Sequence, residues 1–350
     1  MSIVKTYNIN INKFSPLLPP KAIKEELPLT ENQINRILSY RQNIRNVLTG
    51  KDKRILLVVG PCSIHDPDAA IEYADRLSKI SKQVEKTMMI VMRAYFEKPR
   101  STIGWEGFIY DPYLDNSHDI IVGIRKSRKL LLDFTDRDLP CATEFLNPII
   151  PQYIAGLISW AAIGARTTES QTHRQMVSGL SMPIGFKNST DGGLQVAIDA
   201  MISGENPHSF LGIDEEGRSS IVETKGNQDV HIVLRGGGGG QSNCSRAHIA
   251  FTKVKLERKT DVSPKRLIMV DCSHGNSNKD FRKQPEIFTD LITQIKNGES
   301  SIMGLMLESN LEEGNQKISP QLIYGQSITD GCMGWNTTEK LIYQAHEQLK

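Results

Sequence analysis

The sequence predicts a (β/α)8 barrel with an N-terminal extension and an inserted β-hairpin. Three observations carry that prediction. Eight short apolar runs recur from residue 55 onward, most of them followed by a loop and a longer amphipathic segment. Continuous apolar runs alternating with helices are what parallel strands covered on both faces require, and eight such units in roughly 250 to 300 residues is the repeat number of this barrel. Each run also ends at or just before a residue able to bind a metal, pair with an anion or move a proton, and barrels of this class keep their sites at the strand ends. An open doubly wound sheet is the second architecture the pattern allows.

Taken in order, residues 1–29 show no clear period and contain the Pro-rich "FSPLLPP", so they read as an extended arm. "LTENQINRILSYRQNIRNVLTG" reads as a helix. Thr30 and Gln33 fit a capping box, Ile34, Ile37, Leu38, Ile44, Val47 and Leu48 recur near helical spacing, and Gly50 ends it. Arm and helix, residues 1–53, form a unit for assembly and regulation ahead of a catalytic barrel at 54–350. The eight runs are "ILLVVG" from 55, "MMIVMR" from 88, "CATEF" from 141, "AAIGAR" from 161, "PIGFK" from 183, "HIVLR" from 231, "RLIMVD" from 266 and "SIMGLMLE" from 301. Between the fifth and sixth, "SFLGIDEEGRSSIVETKGNQDVHI" alternates polar and apolar residues around "DEEGR", which predicts a hairpin at about 210–230.

Composition excludes several classes of partner. The chain has 350 residues and a formal net charge of +2, so no polycationic field recruits nucleic acid or anionic membrane. The N-terminus lacks a signal-type apolar region and no segment has the apolar length of a membrane span, so the cytoplasm is the expected location. The five cysteines form no CxxC pair, which favours a ligand or a reactive thiol over a disulfide framework. "VLRGGGGGQSN" lacks a P-loop ending and matches no dinucleotide fingerprint.

The strand-end residues are Cys62, Arg93 with Lys98 and Arg100, Glu144, Arg166, Lys187, Arg235, Asp271 with His274, and Glu308. Six cations, Arg93, Lys98, Arg100, Arg166, Lys187 and Arg235, are expected to face one another across the barrel mouth. Such grouping costs on the order of several kcal/mol per close pair unless anions occupy the site. The expected ligand is therefore multiply anionic, such as a phosphorylated sugar or acid. Lys98 or Lys187, set among cations, is expected to have a depressed pKa and to shuttle a proton. Cys62, His274, Glu308 and Asp330 stand in loops of strands that adjoin in a closed barrel, and one thiolate, one imidazole and two carboxylates suit a divalent transition ion such as Mn, Fe, Co or Zn. Singly they also have plainer roles: a buried small residue, a loop hydrogen-bonder, a helix N-cap. His65 reads as a helix-entry residue and His173 as a helix residue.

"GPCSIHDP", "MRAYFEKPRSTIGWEG", "ATEFLNP", "IGARTTESQTHR", "GFKNSTDG", "HIVLRGG", "VDCSHGNSNKD", "GLMLESNLEEGNQ" and "SITDGCMGW" closely resemble motifs of the type I 3-deoxy-7-phosphoheptulonate (DAHP) synthases, over nearly the whole chain from about residue 30. The resemblance implies the barrel with its extension and hairpin. It implies condensation of phosphoenolpyruvate with erythrose 4-phosphate, the first step of the shikimate pathway to aromatic amino acids. It implies one divalent metal ion per subunit, manganese foremost, on Cys62, His274, Glu308 and Asp330. Phosphoenolpyruvate would be held by Arg93, Lys98, Ala165, Arg166, Lys187 and Arg235 with Glu144 alongside, and the aldose phosphate by Lys98, Pro99, Arg100 and Ser101; Lys98, Glu144, Lys187 and His274 would carry the chemistry.

Relatives with this arm and hairpin assemble as dimers of dimers and are inhibited by an aromatic amino acid, so a homodimer or homotetramer is expected. "HSFLGID" and "VDCSHGNSNKD" look most like the tyrosine-sensitive subgroup, with Gly212 in place of the serine typical of phenylalanine-sensitive enzymes; a glycine there leaves room for a phenolic hydroxyl, so tyrosine is the expected effector and phenylalanine the alternative. The pocket would include Gln152, Leu180, Phe210, Gly212 and Val222. One departure stands out: after "LRGG" the further glycines and "QSN" replace a lysine or similar residue followed by "PNY", which predicts an unusually loose loop. The rival activity is 3-deoxy-octulosonate 8-phosphate synthesis from arabinose 5-phosphate, whose lysine motif reads KANR where this chain has "EKPRST". A non-catalytic sensor of phosphorylated ligands is the rival of a different class.

Overall fold

The computed structural model describes residues 6–257 and 268–350. Strands and helices are numbered in chain order. Eight parallel strands close a barrel: β1 Ile55–Gly60, β2 Met88–Arg93, β3 Cys141–Glu144, β4 Trp160–Ile163, β5 Ile184–Lys187, β8 Val230–Leu234, β9 Ile268–Asp271 and β10 Ile302–Glu308. β10 returns to pair with β1, so the barrel and not the open sheet is correct. Each strand coincides with a run expected from sequence. All their residues are buried, which is why the runs are apolar without alternation. Helices α3 Pro67–Val84, α4 Ile120–Asp136, α5 Pro151–Ile154, α6 Gln171–Gly179, α7 Gln195–Glu205, α8 Arg246–Glu257, α9 Gln284–Lys296 and α10 Trp335–Leu349 follow the barrel strands in turn.

Inside the barrel, Trp160 Nε1 donates to His231 Nε2 at 3.2 Å. Gly185 lies between them on β5, where a Cβ would sit 2.7 Å from the indole and 3.0 Å from His231. The strand alternation puts Gly185 on the same face as Lys187, so these large side chains fill the layer beneath the site.

Helix α2, Glu31–Leu48, covers the N-terminal end of the barrel. Thr30 and Gln33 form the expected capping box. Arg41 donates to the carbonyls of Ala155 and Ile158 just before β4, and Arg45 pairs with Asp229 just before β8 at 2.6 Å. The apolar positions do not form one stripe: Ile37, Ile44, Val47 and Leu48 are buried, whereas Ile34 and Leu38 are exposed.

The arm is not extended throughout. Pro20–Glu26 form helix α1, with Pro20 at the first helical position, where its missing N–H costs nothing. Lys21 N–H donates to the Glu215 carbonyl at 2.9 Å and Lys24 pairs with the Glu215 carboxylate at 2.9 Å. Glu215 lies at the tip of an antiparallel hairpin, β6 Ser209–Ile213 and β7 Ser219–Glu223, inserted between α7 and β8. Among the described residues no helix is long and apolar enough to cross a membrane.

Candidate active site

A cleft of ≈ 270 Å³ opens at the C-terminal ends of the strands. Lys98, Pro99, Arg100, Ser101, Glu144, Ala165, Arg166, Lys187, Arg235, His274 and Asp330 all line it. Strand geometry brings them there: each stands at or beyond a strand's C-terminal end, and the closed register puts those ends on one rim. Gly164 is needed beside Glu144, because a Cβ there would lie 2.0 Å from Glu144 Oε1. Thr190, Thr329 and the cation Lys279 also line the cleft. Sequence reasoning assigned them no role, although Lys279 stands in the same "HGNSNKD" loop as His274.

The six cations are not equivalent. Arg93 is absent from the cleft lining and fully buried, its Nη2 3.0 Å from Glu308 Oε1 and its guanidinium 3.8 Å from the Tyr95 ring centroid. Lys187 Nζ lies 3.0 Å from Asp271 Oδ2. Two of the six expected cations are thus neutralised within the protein, since a buried charge is tolerated only with a partner. Arg100, Arg166 and Arg235 have no carboxylate partner among the described residues. Burial lowers the pKa of Arg235, Asp271 pulls it back up, and the neighbouring Arg166 adds to the lowering. That pair calls for an anion.

The expected depression of the Lys98 pKa is not found. Burial works in that direction, but Cys62 when ionised, Glu308 and Glu144 outweigh it and raise the pKa. Lys98 Nζ sits 3.2 Å from Cys62 Sγ and stays protonated. It is a fixed cation rather than a base.

For the metal, Cys62, Glu308 and Asp330 each offer a ligand atom within 4.8 Å of the other two. His274 approaches the same group, with Nε2 3.7 Å from Glu308 Oε1. Its Nδ1 is 2.9 Å from Asp271 Oδ2, though off the line of a hydrogen bond. Ser273 Oγ–H donates to Glu308 Oε2 at 2.8 Å, fixing the carboxylate from behind. Burial opposes ionisation of Glu308, yet His274, Arg93 and Lys98 hold its carboxyl at about 2. Burial and then Glu308 push the Cys62 thiol upward. A buried thiol beside two carboxylates is a poor arrangement without a cation and a good one with it, so the donor set fits a divalent transition ion. Cys332 is adjacent, its Sγ accepting from Cys62 N–H at 3.4 Å.

Glu97, also unassigned from sequence, ties the loop after β2 to the loop after β3. Its buried carboxylate accepts from Leu146 N–H, Asn147 N–H and Tyr110 O–H at 3.2, 3.1 and 2.9 Å. Burial raises its pKa to about 7. It anchors the chain immediately before Lys98. His173 braces the same loop from α6, with Nε2 2.7 Å from the Leu146 carbonyl.

The glycine run is not loose at its start. Gly236 has φ +74° and a Cβ there would lie 2.4 Å from Asn276 N, while one on Gly237 would lie 2.8 Å from the Asp191 carbonyl. Gly238 N–H donates to the Thr190 carbonyl at 2.7 Å. Only Gly239 projects into open space.

Of the expected effector residues, Phe210 and Val222 are paired across the hairpin, and a Cβ on Gly212 would lie 2.8 Å from Val222 Cγ2. All three are half-buried on one hairpin face, whereas Leu211 and Ile221 on the other are 85% and 74% exposed. Leu180 follows α6, which packs on β6, and Gln152 lies in α5, which packs on α1.

Residues 26–342 match the family model described as the DAHP synthetase I family. The Tyr-sensitive phospho-2-dehydro-3-deoxyheptonate aldolase of Escherichia coli is 47% identical over 345 residues, covering 98% of this chain and 96% of that protein. The Phe-sensitive enzyme of the same organism is 50% identical over 345 residues, covering 98% and 97%. Among solved structures, the phospho-2-dehydro-3-deoxyheptonate aldolase of Francisella tularensis aligns with a TM-score of 0.94 at 49% identity, covering 97% of this chain and 98% of that one.

Proposed function

The chain belongs to the DAHP synthetase I family and carries its carbon–carbon bond-forming transferase activity, and on that premise we propose that the cleft condenses phosphoenolpyruvate with erythrose 4-phosphate and water, releasing phosphate. The observation that carries this reading is the pairing of two unneutralised arginines, Arg166 and Arg235, with the Cys62, Glu308 and Asp330 donor set at one barrel mouth. Arg166, Arg235 and Lys187 hold the carboxylate and phosphate of phosphoenolpyruvate, with Ala165 in the cleft wall beside them. Arg93 acts from beneath by fixing Glu308. Arg100 and Ser101, with Pro99 shaping the turn, hold the aldose phosphate.

Cys62, His274, Glu308 and Asp330 hold one divalent ion, manganese foremost, which when bound polarises the aldehyde carbonyl. Lys98, kept protonated, faces that oxygen as charge develops on it. The enol carbon C3 attacks the aldehyde carbon, and positive charge appears at C2. Water adds at C2 and gives one proton to Glu144, which passes it to the alkoxide left by the aldehyde; the hemiketal hydroxyl then gives up its proton to the departing phosphate as C2=O forms and the C2–O bond to phosphate breaks.

The same reading has the enzyme working in the cytoplasm as a homodimer or homotetramer at the entry to aromatic amino acid biosynthesis. Tyrosine is the favoured feedback inhibitor, because Gly212 leaves room for its phenolic hydroxyl. An inhibition series with tyrosine, phenylalanine and tryptophan tests this: tyrosine is expected to act, and inhibition by phenylalanine alone refutes it. The catalytic reading is tested by phosphate release from phosphoenolpyruvate with Mn(II) and either erythrose 4-phosphate or arabinose 5-phosphate.

A further inference from the structure

We propose that Asn243 is a positioning residue for Arg235, the keystone of a three-asparagine brace that turns a glycine run into a fixed support. The proposal rests on the reading of Arg235 as a substrate-binding cation. Arg235 is followed by five glycines, a sequence that by itself leaves the backbone a wide choice of conformations. The guanidinium finds only one hydrogen-bond partner among the described residues, a 3.3 Å contact from Nη1 to the Gly236 carbonyl. Its placement must therefore be set through the backbone.

The backbone is fully held. Arg235 N–H donates to Asn188 Oδ1 at 2.8 Å, and Gly236 N–H donates to Asn243 Oδ1 at 2.9 Å. Asn188 Nδ2 donates to the Gly236 carbonyl at 3.0 Å, and Asn276 N–H donates to the Arg235 carbonyl at 3.2 Å. The asparagines also hold one another: Asn243 Nδ2 donates to Asn188 Oδ1 at 3.1 Å, and Asn243 N–H donates to Asn276 Oδ1 at 2.8 Å. Asn276 Nδ2 completes the brace on the carbonyls of Leu234 and Asp271 at 3.2 and 2.9 Å. Each amide oxygen faces a backbone N–H. Asn188 and Asn276 aim their amide nitrogens at backbone carbonyls, so only one orientation of each satisfies the network.

The sequence explains why this brace matters. Asn188 follows Lys187, Asn276 lies two residues after His274, and Asn243 closes the glycine loop. One network thus ties the ends of β5 and β8 and the loop after β9, which carry Lys187, Arg235 and His274. An arginine fork binds a carboxylate or phosphate through two aligned bonds, and a small displacement of its backbone forfeits that alignment.

The test uses the full-length, Mn(II)-loaded enzyme. Phosphoenolpyruvate dissociation is measured by titration calorimetry, together with kcat, KM and thermal midpoint, for the parent, Asn243→Ala, Arg235→Met and the double variant. Asn243→Ala is expected to weaken phosphoenolpyruvate binding roughly tenfold, the scale of one hydrogen bond left unmade, while kcat at saturation changes less than about threefold. In the Arg235→Met background the same change is expected to cost no further affinity. Asn243→Asp, which keeps the acceptor for Gly236 N–H, is expected to fall between and supplies the measurement if the alanine variant does not fold. Unchanged binding in both Asn243 variants, or an equal further loss in the Arg235→Met background, overturns the brace. Parent-like binding by Arg235→Met instead removes Arg235 as a substrate cation, and the proposal falls with it.

Discussion

Lys187 Nζ and Asp271 Oδ2 lie 3.0 Å apart in a salt bridge closed to solvent, and the same carboxylate oxygen lies 2.9 Å from His274 Nδ1. One buried acid therefore stands between the proposed substrate cation Lys187 and the proposed metal ligand His274. Although burial alone would raise the Asp271 pKa, His274 and Lys187 hold it well below the carboxylate range. Asp271→Asn leaves Lys187 as an unpaired buried charge, so about 3–5 kcal/mol of stability should be lost along with activity. Replacing both groups, as Lys187→Met with Asp271→Leu, should restore most of the stability and none of the activity. Urea titration beside a turnover assay separates the two.

Two buried groups give opposite pH dependences. Burial lowers the His231 pKa to about 3, so as pH falls below about 6.5 the unfolded chain gains a proton that the folded protein refuses. Stability attributable to His231 thus drops by about 1.4 kcal/mol per unit on acidification. Burial raises Glu97 to about 7, so its contribution is full below the unfolded carboxylate pKa and is lost as pH rises towards 7. The two slopes oppose each other between about pH 5 and 6.5. Denaturation midpoints across this range should rise with pH in Glu97→Gln and fall with pH in His231→Gln. Parallel profiles in both variants and the parent would contradict these assignments.

The glycine run should respond unevenly to alanine. Gly236→Ala forces a Cβ to 2.4 Å from backbone at φ +74°, so it should displace Arg235 and abolish substrate binding. Gly239→Ala meets no atom within 4 Å, although its φ of +68° is unfavourable for a side chain. It should cost about 1 kcal/mol of stability and leave KM unchanged. Thermal midpoints and KM values for the pair provide the check.

Metal loading should release a proton. The Cys62 thiol is pushed upward by burial and Glu308, and it must ionise to bind a divalent ion. Adding Co(II) to chelator-treated enzyme in weak buffer with an indicator dye should release about one proton per site, with a thiolate-to-metal absorption band. Cys62→Ser should lose both signals, and a full proton yield in that variant would remove Cys62 from the ligand set.

The barrel was legible because buried parallel strands leave unbroken apolar runs, and the lining of the cleft was legible because its groups stand at or beyond those strand ends. What escaped reading depends on partners distant in sequence. Helix α1 is short and begins with prolines, and it is held by Glu215 at the hairpin tip. The unequal state of the cations was hidden because Arg93 looks like Arg166 in sequence, yet only one faces Glu308. The raised pKa of Lys98 comes from a thiol and carboxylates contributed by other strands. The tightness of the glycine loop comes from asparagines at positions 188, 243 and 276, which no local pattern joins.

The most direct test offers the Mn(II)-loaded enzyme phosphoenolpyruvate with erythrose 4-phosphate or arabinose 5-phosphate and follows phosphate release together with the sugar-acid product. Turnover with erythrose 4-phosphate, giving a seven-carbon 3-deoxy sugar acid and one phosphate per product, is the predicted result. Faster turnover of arabinose 5-phosphate, or no phosphate release with either aldose, would contradict it.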